Sequence, residues 1–208
     1  MTEVSVQKLL EECQTGDLLL YNSHSLLGRV IEYCSFSRYS HVAIILRDPI
    51  YIDPSLIGLY VLESGAENVP DSLTGKYIFG VQITPLENNF NYIKKNSYGN
   101  VYYRKLNCDR NDTFIENLTK TIKNTEGKHY DIHLYDWIRA KFDIEIGDQQ
   151  ITSRFWCSAF AGYVYVQLGL LDKDLGWSLL APKRFSSYEN MCLSFKNCTV
   201  DPEKYIKL

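Results

Sequence analysis

The chain has 208 residues, a length that fits one domain, and 45% of them are hydrophobic, which is ordinary for a globular protein. Its 25 acidic and 22 basic residues are well mixed and give a net charge of -3. Lys and Arg occur in runs of at most two, so the sequence lacks the basic footprint of nucleic-acid binding, and we expect no nucleic-acid partner.

The N-terminal segment, residues 1–12, has neither the basic region nor the apolar region of a signal peptide. Apolar runs stay well below the roughly 20 residues that cross a membrane, which leaves only peripheral membrane contact open. The six cysteines show no CxxC pair and no regular framework, so we expect free thiols. These features together predict a cytoplasmic protein.

Hydrophobic patterning predicts a single α+β domain over residues 1–208. The predicted helices cover residues 5–13, 26–34, 113–123 and 130–142, and a further helix begins at Cys157. The predicted strands cover residues 17–21, 41–46, 59–64, 76–83 and 101–106. The polar, Asn-rich segment 86–100 is predicted to be a loop insertion. Because strands come mainly before helices, we expect an antiparallel sheet packed against the helix at Cys157.

The most distinctive stretch is an apolar helix with a cysteine at its front end. One face of this helix carries Cys157, Phe160, Val164 and Leu168. A thiol in the first turn of a helix lies near the positive end of the helix dipole, which lowers the thiol pKa and favours the nucleophilic thiolate. The alternative is that Cys157 is a small buried hydrophobe.

A cysteine nucleophile needs a base within hydrogen-bond reach and a third group that orients this base. Of the four histidines, His41 opens an otherwise apolar strand, whereas His24 lies in a polar loop. His129 and His133 have a helical spacing that suits a metal, but no third ligand accompanies them, and we expect no metal site. His41 is therefore the candidate base, and a purely structural imidazole is the alternative.

Glu63 ends an apolar strand, where a carboxylate is out of place unless it is paired. If this strand is the antiparallel neighbour of the His41 strand, the carboxylate lies near the imidazole. It can then accept a hydrogen bond from one ring nitrogen and fix the tautomer. The alternative is a glutamate that faces solvent at the strand end.

Four segments together resemble the permuted papain-like enzymes of the NlpC/P60 superfamily, in the YiiX/YaeF-like and poxvirus-like variants. They read GDLLLY at residues 16–21, SRYSHVAI at 37–44, YVLES at 60–64 and FWCS at 155–158. The candidate residues follow the order His, Glu, Cys, which is the circularly permuted order. The resemblance implies an antiparallel sheet or partial barrel that carries His41 and Glu63 and faces the helix at Cys157.

The resemblance also implies a cysteine hydrolase or acyltransferase that acts through a thioester on an amide or lipid-ester bond, with no cofactor and no metal. Cys157 would be the nucleophile, His41 the base and Glu63 the group that orients the base. By similarity of the GKHY segment at residues 127–130, Tyr130 would help to polarise the carbonyl oxygen.

Several alternatives stay open at the level of sequence. The substrate is a small molecule, a lipid or a peptide, and the residues decide neither between amide and ester nor between hydrolysis and transfer. A non-catalytic binding protein or a virion structural protein on the same scaffold is the alternative to an enzyme. The poxvirus-like pattern hints at a virus, and a viral chain would be expected in the host cytoplasm or the virion.

Overall fold

The computed structural model describes residues 2–24, 37–65, 68–130, 154–188 and 192–208. Within these ranges one large mixed sheet of nine strands dominates the molecule. Numbered in chain order and given in their spatial order, the strands are Thr2–Ser5 (β1), Lys204–Lys207 (β11), Gly99–Arg104 (β6), Leu18–Ser23 (β2), His41–Arg47 (β3), Leu59–Gly65 (β4), Gly80–Pro85 (β5), His129–Tyr130 (β8) and Arg154–Phe155 (β9). Leu106–Asn107 (β7) and Thr199–Val200 (β10) form a separate antiparallel pair.

Four α-helices accompany the sheet in the described part of the chain, so the predicted α+β class is confirmed. They are Val6–Glu12 (α1), Leu86–Asn96 (α2), Asp112–Thr125 (α3) and Cys157–Gln167 (α4). None of these described helices is long and apolar enough to cross a membrane. The predicted antiparallel sheet is right only in part. Its six inner pairings are antiparallel, but both edge pairs, β1 with β11 and β8 with β9, are parallel. Over the described ranges the sheet does not close into a barrel.

The prediction of a loop insertion over residues 86–100 is wrong. Residues Leu86–Asn96 form α2, and β6 begins at Gly99. The polar composition hides a helical spacing, since Leu86, Phe90 and Ile93 are buried while most of the Asn and Lys side chains are exposed. The helix ends where Ser97 adopts a left-handed conformation with φ 48°.

Two predicted helices fall largely or wholly on residues that the structure does not describe. The helix predicted over residues 26–34 lies outside the described residues. Of the helix predicted over residues 130–142, only the first residue is described, and Tyr130 belongs to the short strand β8 instead of a helix.

The two faces of the sheet pack against different helices, because successive side chains of a strand point to opposite faces. On one face Leu18, Leu20, Val42, Ile44 and Leu62 pack in a cluster with α3 and α4. On the other face Leu19, Ala43, Ile45 and Val61 pack in a cluster with α2 and Leu9 of α1. The result is a helix–sheet–helix arrangement in which β3 and β4 are buried on both sides.

Helix α4 is buried nearly all around, which explains why its sequence is apolar on every side. One side packs on β3 and β4, and another packs on the turn Trp177–Leu179 and Leu180. A Cβ at Gly162 would overlap the Leu180 side chain, so glycine permits the close approach there. The Tyr165 hydroxyl donates to the Gly16 carbonyl oxygen at 2.7 Å and fixes the far end of the helix against the start of β2.

A buried carboxylate, Asp17, joins the turn before β2 to the strands beyond it. Its two oxygens accept hydrogen bonds from the Tyr103 hydroxyl at 2.6 Å and from the Leu106 backbone N–H at 2.9 Å. They also accept from the Gln14 backbone N–H at 2.8 Å and pair with the Arg110 guanidinium at 3.1 Å. Since the carboxylate is fully buried, its four partners hold β2, β6 and β7 in register.

We predict that Asp17→Ala destabilises the fold by about 3–5 kcal/mol, because it leaves a charged guanidinium and buried donors without their acceptor. Urea denaturation followed by circular dichroism measures the effect. Asp174→Ala, which removes an exposed carboxylate, is the control and should stay within about 0.5 kcal/mol of the wild type. Equal stabilities for the two variants would contradict the role given to Asp17.

Candidate active site

His41 and Glu63 are brought together by strand register. β3 and β4 are antiparallel, and Ile44 pairs with Leu62. Continuing this pairing toward the start of β3 places Glu63 opposite Ala43 and Gly65 opposite His41. His41 and Glu63 are therefore diagonal neighbours on the same face of the sheet. The His41 Nε2 and Glu63 Oε2 atoms are 2.5 Å apart, and the side chains are 21% and 9% exposed. The predicted antiparallel neighbourhood of these two residues is present.

Cys157 reaches the start of β3 from the opposite face of the sheet. It is the first residue of α4 and is only 2% exposed. The Cys157 Sγ atom lies 3.9 Å from the Ser40 carbonyl oxygen, a long and weak contact. Its side chain also interacts directly with the imidazole of His41. The three residues predicted from the sequence thus meet where β3 begins.

Three hydrogen bonds fix the front end of α4 in this position. The Ser64 hydroxyl, next to Glu63, donates to the Phe155 carbonyl oxygen at 2.7 Å. On the other side the Trp156 indole N–H and the Ser158 hydroxyl both donate to the Leu180 carbonyl oxygen, at 3.0 and 2.6 Å. The residues on each side of Cys157 are therefore held by buried hydrogen bonds, and one of them comes from the strand that carries Glu63.

The charges of the three groups reinforce one another. Burial alone would raise the pKa of Cys157, but the His41 charge, the hydrogen bond to His41 and the backbone N–H groups of Val42 and Ser158 outweigh it and lower the pKa. Burial alone would lower the pKa of His41, but Cys157 and Glu63 raise it to about 10. The arrangement favours a thiolate–imidazolium pair with Glu63 as the second anion beside the imidazolium.

A small open cleft of about 100 Å³ lies over the imidazole side of the site. His41, Glu63 and Gly65 form part of its lining, and aromatic and small polar side chains form most of the rest. The aromatic lining residues are Tyr21, Phe79, Tyr92, Tyr98 and Tyr130. The described lining contains no Lys or Arg, so His41 is the one described lining residue that can carry a positive charge.

Tyr130, the predicted auxiliary donor, lines this cleft. Its backbone N–H donates to the Phe79 carbonyl oxygen at 3.0 Å, and its ring stacks on that of Phe79 with 4.7 Å between centroids. The structure therefore brings Tyr130 to the cleft that contains His41 and Glu63. Its role toward a carbonyl oxygen stays a prediction.

Three residues at the site were not predicted from the sequence. Tyr21 lies opposite His41 in the register of β2 and β3, and its ring meets the imidazole edge-on with 5.2 Å between centroids. Gln82 donates from its amide nitrogen to Glu63 Oε1 at 3.2 Å. Gly65 leaves room beside the Glu63 carboxylate. A sequence signal existed only for Gln82, which is a polar residue within an otherwise apolar strand.

The other histidines do not join this site in the described part of the chain. His24 is exposed, and its backbone N–H donates to the Tyr98 carbonyl oxygen at 2.7 Å. His129 is an exposed residue of β8 instead of a helix, and His133 lies outside the described residues. The described ranges contain no group of three or more His, Cys, Asp or Glu side chains that could hold a metal ion.

Comparisons with known proteins show a similarity of fold. No protein-family model matches the chain, and neither does any curated protein. Among solved structures the chain is similar to YiiX of Escherichia coli O157:H7, which is described as a metalloprotein of DUF1105. The match has a TM-score of 0.51 and 19% sequence identity, and it covers 93% of this chain and 98% of YiiX. It agrees loosely with the YiiX-like part of the sequence resemblance and concerns the fold alone.

We predict that limiting iodoacetamide at neutral pH modifies Cys157 ahead of Cys13, Cys108 and Cys198. Burial raises the pKa of each of these three thiols, whereas His41 lowers that of Cys157. Peptide mapping of the alkylated protein measures the order. In His41→Ala the counter-cation is lost while the burial remains, so the pH midpoint of Cys157 alkylation should rise by at least about one unit.

Exposed Cys192 serves as the internal reference for this experiment, since its alkylation should be the same in wild type and His41→Ala. Preferential labelling of Cys108 or Cys34 would contradict the assignment of Cys157. An unchanged midpoint in His41→Ala would contradict the thiolate–imidazolium pair.

Proposed function

We propose that the protein is a cysteine-dependent hydrolase or acyltransferase that forms a thioester on Cys157. The observation that carries this proposal is the meeting of a thiol, an imidazole and a carboxylate at the start of β3, with 2.5 Å between His41 Nε2 and Glu63 Oε2. A nucleophile, a base and a group that orients the base are the minimal parts of such chemistry. The permuted papain-like resemblance and the YiiX-like fold support the same proposal.

In the first step the Cys157 thiolate attacks the carbonyl carbon of the substrate. A carbon–sulfur bond forms, and the carbonyl electron pair moves to the oxygen. When the tetrahedral intermediate collapses, the imidazolium of His41 gives its proton to the leaving amine or alcohol, and an acyl thioester remains. Neutral His41 then takes a proton from water or from a second acceptor, which attacks the thioester and releases the thiolate.

Glu63 has a positioning and electrostatic role in this scheme. Its carboxylate accepts from Nε2, which leaves the opposite ring nitrogen, Nδ1, for the exchange of protons with Cys157. The carboxylate also stabilises the imidazolium that exists before the attack. Because Glu63 does not itself take up the proton, its neutral replacement should reduce the rate without abolishing it.

The developing oxyanion would be stabilised at the front end of α4. Trp156, the N-cap residue, makes no side-chain capping bond to the first turn of α4, where the Ser158 backbone N–H already contacts the Cys157 sulfur. The Cys157 backbone N–H is the donor nearest to the nucleophile in the chain. We propose Tyr130, on the wall of the cleft, as the auxiliary donor.

The substrate class is an uncharged carbonyl compound of amide or ester type. The cleft beside His41 is lined by aromatic rings, amides and hydroxyls, which suit apolar or neutral polar groups. This lining suits an acyl chain and a peptide equally well, so both stay within the proposal. YiiX is described as a metalloprotein, whereas the described residues of this chain contain no group of three or more His, Cys, Asp or Glu side chains that could hold a metal ion.

One observation favours the second candidate function, a non-catalytic binding protein or virion structural protein. Cys157 is 2% exposed, and a nucleophile must be reached by its substrate. The two functions differ in a covalent intermediate, which only the enzyme forms.

We predict that the wild-type protein accumulates a hydroxylamine-sensitive adduct on Cys157 when it is incubated with p-nitrophenyl acyl esters or with peptide amides. Intact-mass spectrometry and peptide mapping identify the adduct, and the added mass separates an acyl chain from a peptidyl fragment. Cys157→Ala should form none. His41→Ala should slow turnover by about 10²–10⁴-fold, because the general base is lost. Glu63→Gln should lose less turnover than either Cys157→Ala or His41→Ala.

Thermal melting of each variant serves as the control for folding. Normal turnover in His41→Ala would make His41 structural and the mechanism wrong. A Cys157 that reacts with iodoacetamide but forms no adduct with either substrate class would favour the binding protein.

A further inference from the structure

The carboxylate of Glu63 is held from two sides. One oxygen, Oε2, contacts Nε2 of His41 at 2.5 Å, and the other, Oε1, accepts from the amide nitrogen of Gln82 at 3.2 Å. Gln82 lies directly opposite Glu63 in the register of β4 and β5 and is buried. A buried carboxylate with two donors has a defined orientation, whereas one with a single donor can rotate about its terminal torsion.

The third side of the Glu63 carboxylate faces Gly65, which has no side chain. Gly65 is two residues beyond Glu63 on the same strand face and lies opposite His41 in the extended register. A Cβ added to Gly65 would lie 3.0 Å from the Glu63 carboxyl carbon and 3.2 Å from both carboxyl oxygens. Glycine is therefore the residue that lets the carboxylate occupy the space beside the imidazole.

We propose that Gln82 and Gly65 are positioning residues that hold the Glu63 carboxylate against His41 and thereby keep the Cys157–His41 pair charged. This inference rests on the proposed function, since it concerns the same three groups. It adds two residues that neither the sequence resemblance nor the fold comparison assigns. Gln82 acts by donating a hydrogen bond, and Gly65 acts by leaving space.

The direction of the effect follows from the charges. Glu63 raises the pKa of His41, and the imidazolium lowers the pKa of Cys157. A carboxylate that turns away from His41 weakens the first effect and then the second. Loss of either positioning residue should therefore shift the titration of Cys157 to higher pH.

Apart from His41 and Glu63 themselves, the titratable groups in the described lining of the cleft are phenols. They are Tyr21 on β2, Tyr92 on α2, Tyr98 before β6 and Tyr130 on β8. Burial, and then the charge of Glu63, raises the pKa of Tyr21 well above its ordinary value. Tyr21 therefore stays neutral while Cys157 titrates.

The test is the pH profile of Cys157 alkylation by iodoacetamide in Gln82→Met and Gly65→Ala. Methionine keeps the approximate volume of Gln82 and removes the amide donor, and alanine adds the obstructing Cβ. We expect each midpoint to rise and alkylation at neutral pH to slow by roughly 3–10-fold. Thr84→Val is the matched control, because Thr84 is a buried polar residue on the same face of β5, and its profile should equal that of the wild type.

A double-mutant comparison separates positioning from a general structural effect. If Gln82 acts through Glu63, then Gln82→Met should produce no further shift in a Glu63→Gln background. An equal shift in both backgrounds would overturn the inference. A second result would also overturn the inference while leaving the proposed function intact. In this result the midpoint of Cys157 alkylation rises in Glu63→Gln but equals that of the wild type in Gln82→Met and Gly65→Ala. A wild-type Cys157 that titrates like an ordinary thiol would instead overturn the proposed function itself.

Discussion

The candidate site depends on the contact between His41 Nε2 and Glu63 Oε2 at 2.5 Å. His41 is partly buried and Glu63 is largely buried. At that distance each charge offsets the free-energy cost of burying the other, whereas either charge would be costly to bury alone. The contact sets the orientation of the imidazole and raises the pKa of His41. The thiolate character of Cys157 then follows from its interaction with that imidazole, although burial works against it.

The sheet fixes the geometry of this contact because His41 and Glu63 belong to neighbouring central strands. β3 and β4 are packed on both faces, so their register cannot slip without moving apolar side chains out of the core. Helix α4 approaches from the other face, and its front end is tied to β4 through the bond from Ser64 to Phe155. The thiol of Cys157 and the carboxylate of Glu63 are therefore both positioned by β4, and the imidazole of His41 lies between them.

The three candidate residues were predictable because their chemistry is unusual for their local sequence pattern. His41 and Glu63 are polar ends of apolar strands, and Cys157 begins an apolar helix, so each stood out without knowledge of the fold. Gly65 and Tyr21 gave no such signal, because their roles come from register across strands and not from their neighbours in the chain. Segment 86–100 was misread because its polar composition obscured the spacing of Leu86, Phe90 and Ile93.

The parallel edges of the sheet were also beyond local reasoning. β1 pairs with β11 from the other end of the chain, and the two-residue strands β8 and β9 are too short to carry a periodic signal. Such pairings depend on long-range closure of the chain, which propensity does not encode. The α+β class was predictable because it requires only the order and type of the longer elements.

The charge state of the His41 ring distinguishes a thiolate–imidazolium pair from a neutral thiol beside a neutral imidazole. In ¹⁵N NMR spectra of histidine-labelled protein, the His41 resonances are assigned by their loss in His41→Ala. We predict a doubly protonated, cationic ring at neutral pH in the wild type, and a lower pKa for this ring in Cys157→Ala, where one of its two anionic partners is missing. A neutral ring in the wild-type protein at neutral pH would contradict the thiolate–imidazolium pair.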